Sequence, residues 1–159
     1  MFALLLTPSV IRDLQLNRLL NQSDTRTIAR SWILSHIPPG TVTAPTAYDP
    51  VWNSYGEPQL PPDYRFVLLQ DFDSLPARGI HWVFSDSLPG LEAYSPGPTR
   101  TAQAALNTEG ALLFDLNPVK DGLPAPVFDP NDAFYVPFQH ISSMTRPGPR
   151  IRIWMLKPK

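Results

Sequence analysis

The strongest periodicity in the chain lies between Asp24 and Ile37. There Ile28, Ala29, Trp32, Ile33 and Ile37 recur at helical spacing and form one apolar stripe. Arg26, Arg30, Ser31 and Ser35 fall largely off that stripe. Ser23 or Asp24 can accept the unpaired amide hydrogens of the first turn, and the Asp24 carboxylate suits the positive end of the helix dipole. Pro38-Pro39-Gly40 stops the helix, because a residue before proline avoids helical geometry.

Downstream the pattern changes to short extended runs. Thr41–Ala47 is rich in β-branched residues and predicts a strand, as do Tyr64–Leu69, Gly79–Phe84 and Ala111–Leu116. The bulk of Gly79–Phe84 predicts a strand covered on both faces. Thr99–Asn107 is a helix candidate with Ala102, Ala105 and Leu106 inward, and Phe134–Phe138 is short and extended. Arg150–Leu156 alternates charged and apolar residues, with Ile151, Ile153 and Met155 on one face. That predicts a half-buried terminal strand, placed at a sheet edge by its charged face. The segments Tyr48–Pro62, Ser85–Pro98 and Asn117–Asn131 read as turn-rich loops. The sum is an α/β fold: a small mixed sheet of about five short strands with two or three helices and long proline-rich loops.

Composition agrees with the short elements. Proline accounts for 20 of 159 residues, and each one removes a backbone donor from helix or strand. The absence of cysteine excludes disulfides, thiol nucleophiles and cysteine metal sites. A net charge of −1 gives no long-range pull toward nucleic acid, so none is expected as a partner. Arg146, Arg150, Arg152, Lys157 and Lys159 gather late in the chain, either as a solvated strand edge and tail or as a contact for phosphates or lipid head groups. Met1–Leu6 is apolar but far short of the roughly 20 residues a membrane span needs, and no basic region marks a signal peptide. It reads as a buried strand or helix turn, or as the last turn of a membrane helix.

Common catalytic signatures are absent. There is no glycine-rich phosphate loop and no Gly-x-Ser-x-Gly elbow, and His36, His81 and His140 lie far apart. Asp71-Phe72-Asp73, after a predicted strand, is a weak candidate for a divalent cation carrying a sugar diphosphate; otherwise it is a solvated loop. No other cofactor is expected. Asp132 with Tyr135 offers a carboxylate beside an aromatic face, a pairing suited to a sugar, and Trp52 with Tyr55 offers a second platform in a loop. Turn and core roles are the alternatives for all four. Trp32 and Trp82 read as core.

Two longer stretches carry a resemblance. Asp24-Thr25-Arg26, then Trp32-Ile33 and Ile37-Pro38-Pro39-Gly40, resembles the opening of the soluble region in membrane glycosyltransferases similar to dolichyl-phosphate-mannose protein mannosyltransferases. Phe134–Phe138 followed by Arg146-Pro147-Gly148-Pro149 and a final strand resembles the closing pattern of that family. Gly79–Ser85 is similar to a strand between them, with His81 where aspartate is usual. The resemblance implies a truncated arrangement, with residues 1–22 as the end of a membrane helix and linker and residues 23–159 as a single soluble α/β domain. It implies hexosyl transfer from a polyprenyl-phosphate carrier, at the extracytoplasmic face of a membrane, within a larger protein. The catalytic carboxylate of such enzymes belongs to the membrane part. This chain is therefore expected to be inactive alone, with no catalytic residue, and to partner the membrane-embedded part of the same enzyme or an adjacent polytopic chain. A lipid-linked sugar or glycan acceptor would meet Trp52, Tyr55, Asp132, Tyr135, Arg150 and Arg152. A free-standing carbohydrate-binding or interaction module is the rival expectation, and a small metal-dependent transferase using Asp71 and Asp73 a third.

Overall fold

A computed structural model describes residues 2–45, 64–67, 72–87, 97–128 and 137–157. Helix α1 (Phe2–Leu20) runs through Pro8, although that proline cannot donate a bond to the preceding turn. The segment after Pro8, expected as a link, is thus mostly helical. Its Leu, Arg and Gln residues have high helix propensity, and Arg18 sits favourably at the negative end of the dipole. Among the described residues no helix is long and apolar enough to cross a membrane.

Helix α2 (Thr25–His36) follows the predicted stripe and stop. Asp24 is its cap, with extended φ/ψ of −60° and 146°, and its carboxylate accepts from the Arg26 amide. Strands β1 (Val42–Pro45), β2 (Arg65–Phe66), β3 (Trp82–Ser87), β4 (Gly110–Leu116) and β5 (Arg150–Leu156), with helix α3 (Gly97–Glu109), complete the regular structure. They form one sheet in the order β2-β1-β3-β5-β4, to which β2 contributes two residues. β1 runs parallel to β2 and β3, and β5 runs antiparallel to β3 and β4. The expected small mixed α/β sheet is the fold. The predicted short strand at Phe134–Phe138 falls almost wholly outside the described residues.

The sheet is covered on both sides. On one face Ile151, Ile153 and Phe84 pack with Ala29 and Ile33 of α2 and with Tyr64, whose hydroxyl donates to the Ile37 carbonyl at 2.7 Å. On the other, Val83, Trp154, Leu156 and Ala44 pack with Leu106 of α3 and with Leu75 and Ile80 around a 3-10 turn at Pro76–Arg78. Period-two alternation accounts for this division, because consecutive residues of β3 and β5 point to opposite faces.

Two strand expectations need correction. β5 is an interior strand and is not at the edge. Its arginines are accommodated because Arg150 lies diagonally across from Asp115 on β4 and bonds it through two nitrogens, at 2.9 and 2.6 Å. β5 is also buried on both faces, through Ile151 and Ile153 on one and Trp154 and Leu156 on the other, and Met155, expected on the buried face, is exposed. The Trp154 indole N–H donates to Ser85 Oγ at 3.2 Å. Ser85, expected in a loop, therefore belongs to β3. That strand begins at Trp82, because Gly79 takes φ 72° to end the 3-10 turn.

A third, smaller cluster lies away from the sheet. Leu19, with Leu16 beside it, packs on Phe128, Ile141 and Met144. This is where the C-terminal end of α1 meets the body of the protein.

Candidate functional site

The two stretches that carry the family resemblance meet in space. The Thr25 amide donates to the Pro147 carbonyl at 3.0 Å, and Arg146 Nη1 donates to the Ser23 carbonyl at 3.3 Å. Gly148 adopts φ 103°, and a Cβ there would overlap Thr25 Oγ1 and lie 2.7 Å from Asp24 Oδ1. Only glycine allows this approach. Arg26 is 7% exposed, and its guanidinium donates through two nitrogens to the Asp24 carboxylate, each at 2.8 Å. Asp24 therefore caps the helix and neutralises a buried cation with the same carboxylate. Thr25 Oγ1 is fully buried with no hydrogen bond.

Next to this junction lies a cavity of about 410 Å³ between α1 and the segment 141–145. Two short tethers build its wall. Thr145 donates from both its amide and its hydroxyl to the Pro118 carbonyl, at 2.8 and 3.0 Å, and the Lys120 amide donates to the Ser143 carbonyl at 2.8 Å. Val119 and Met144 pair as an isolated antiparallel bridge between these tethers. Leu19, Ile141 and Met144 give the cavity an apolar lining; Gln15, Arg18, Gln22, Lys120, Ser142 and Thr145 give it a polar one. Two of the nine lining residues are cationic and none is acidic. The site is suited to holding a small polar ligand.

An aromatic group sits elsewhere, on the α2 face of the sheet. Trp32 stacks on His36 with ring centroids 4.4 Å apart, meets Trp82 edge-on at 6.5 Å and leans on Phe114 at 5.3 Å. Trp32 and Trp82, expected as core, are half-buried and border the core.

The site residues expected from sequence are placed unevenly. Trp52, Tyr55, Asp71, Asp132 and Tyr135 lie outside the described residues. Asp73 is exposed in the turn before the 3-10 helix. Among the described residues no group of three or more potential ligands could hold a metal ion. Arg150 is committed to Asp115, whose carboxyl is held below its ordinary pKa by that hydrogen bond, against an opposing effect of burial. Arg152 is half-buried in β5. The cavity residues Arg18 and Lys120 are missing from the expected set. They lie about a hundred positions apart in the chain and share no motif. No protein-family model, curated protein or solved structure matches the chain.

Proposed function

We propose that this chain is a non-catalytic, extracytoplasmic domain of a membrane glycosyltransferase that takes a hexose from a polyprenyl-phosphate carrier. Its role would be recognition of acceptor or carrier, with the chemistry in a membrane-embedded partner. One observation supports the reading above others. The Asp24–Arg26 and Arg146–Pro149 segments, which belong to the two ends of the resemblance, form one interlocked junction with no room for a side chain at Gly148. The exposed apolar residues Val10, Ile11 and Leu14 of α1 suit contact with such a partner.

The test is cross-linking of the tagged chain in membranes of its own host, followed by mass spectrometry of what it captures. A polytopic glycosyltransferase cross-linked through α1 is the expected result. Capture of no membrane protein counts against the proposal.

The half-exposed aromatic group favours a second reading, a free-standing carbohydrate-binding module, because ring faces pack on sugar C–H groups. Glycan-array binding that disappears in Trp32→Ala, without any membrane partner, would select it.

A further inference from the structure

We propose that the cavity between α1 and the segment 141–145 binds a small phosphate monoester. The proposal rests on the geometry of the cavity and not on the family reading, so either can fail without the other.

Charge decides the ligand class first. Arg18 and Lys120 bring two positive charges to one cavity whose lining includes no carboxylate. A neutral sugar would leave both cations unmatched, and a carboxylate would match one. A phosphate monoester carries about −1.5 to −2 at neutral pH and matches the pair. The two cations also divide the work by shape. The planar guanidinium of Arg18 can grip two phosphate oxygens in parallel, and the Lys120 ammonium acts as a point charge with three N–H donors. One of those donors is fixed on the Ser142 carbonyl at 2.8 Å. That bond steadies the ammonium and leaves two donors for a ligand.

The remaining lining describes the rest of the molecule. The volume of 410 Å³ exceeds what a bare phosphate needs and falls in the usual range for small-molecule sites. Gln22 turns its amide nitrogen back to the Arg18 carbonyl at 3.4 Å, which leaves its side-chain oxygen to accept from a hydroxyl. The Thr145 hydroxyl is spent as a donor on Pro118 and can only accept. Leu19, Ile141 and Met144 supply an apolar surface beneath. A hydroxylated body of sugar size, bearing one phosphate, matches the cations, the acceptors and the apolar surface of this lining. The site lies beside the C-terminal turns of α1, the negative end of that helix, so attraction comes from the two side chains and not from the helix dipole.

The experiment is calorimetric titration of the full chain at low salt with glucose 1-phosphate, glucose and inorganic phosphate. A parallel arm measures sedimentation with phosphatidylcholine vesicles, with and without phosphatidic acid. Saturable binding of glucose 1-phosphate, tighter than inorganic phosphate and absent for glucose, is expected if the ester is a soluble metabolite. Sedimentation that requires phosphatidic acid is expected if the ester is a lipid headgroup. In either arm Arg18→Gln and Lys120→Gln should each weaken binding by about tenfold or more. Both side chains are exposed, so these variants should fold normally, as circular dichroism can verify. Arg78→Gln, an exposed cation on a different surface, should bind like the parent. No binding in both arms, or equal losses in Arg78→Gln and the cavity variants, overturns the proposal.

Discussion

Replacing Gly148 with alanine tests the junction on which the family reading leans. Its φ of 103° is a conformation that L side chains rarely adopt, and adopting it costs alanine about 1–2 kcal/mol. The new methyl would also overlap Thr25 Oγ1 and lie 2.7 Å from Asp24 Oδ1 and 3.0 Å from the Thr25 nitrogen. Relief requires the 146–149 segment to move away from α2. That movement breaks the 3.0 Å bond from the Thr25 amide to Pro147 and leaves a buried amide unsatisfied, at a further cost of about 1–3 kcal/mol. The sum is about 2–5 kcal/mol, a large share of the roughly 5–15 kcal/mol that stabilises a typical domain. Urea unfolding followed by tryptophan fluorescence would measure it. Gly122→Ala is the control: its φ is 75°, with nothing within 4 Å of a new Cβ, so it carries the backbone cost alone. In a Thr25→Ala background the Gly148→Ala penalty should shrink, because one of the overlapping atoms is gone. Equal losses for Gly148→Ala and Gly122→Ala would mean that the contacts with Thr25 and Asp24 add nothing to the penalty.

Three further outcomes follow from other contacts. Asp24→Ala should destabilise by about 1–3 kcal/mol in chemical denaturation, since it removes a helix cap and the two-nitrogen ion pair of the nearly buried Arg26; Arg26→Met, which keeps the cap, should cost clearly less. Asp115→Asn should cost up to about 1 kcal/mol near neutral pH, because the partner pair is partly exposed. The folded-state pKa of Asp115 is depressed, so this contribution is present above the unfolded carboxyl pKa and lost as pH falls through the folded value. The gap between parent and variant should therefore close in acid unfolding curves below about pH 4. Leu19→Ala should loosen α1, since Leu19 is its one buried side chain among those described; limited proteolysis should then cut near residues 20–24 faster, while the near-ultraviolet spectrum of the sheet tryptophans stays unchanged.

What could be read from the sequence was what depends on neighbours along the chain. Helix α2 has a capping aspartate, a stripe of apolar residues and a proline stop within one short segment, and each cue is local. The strands at Val42, Trp82, Gly110 and Arg150 were visible as extended apolar runs, though Gly79–His81 and Ser85–Ser87 shifted the ends of β3. Strand order was not visible. The alternation of charged and apolar residues in β5 resembles an edge strand, and only its pairing with Asp115 and Ser85 shows why Arg150 and Arg152 can sit inside the sheet. α1 was missed beyond Pro8 because the proline and the scattered charges obscure its stripe; Val10, Ile11 and Leu14 are exposed and follow no core-facing period. The cavity was illegible for a different reason. It combines residues 15–22 with Lys120 and residues 141–145, and no spacing rule connects positions brought together only by the tethers from Thr145 and Lys120.

The proposed role is that of a recognition domain for a membrane glycosyltransferase. The most direct measurement is sugar transfer from a radiolabelled polyprenyl-phosphate hexose in proteoliposomes that hold the membrane partner identified by cross-linking, prepared separately, with and without this chain. The expected result is no transfer by the chain alone, and transfer to acceptor by the partner that rises when the parent chain is added but not when Gly148→Ala is added. Transfer by the chain alone, or partner activity indifferent to its presence, would contradict it.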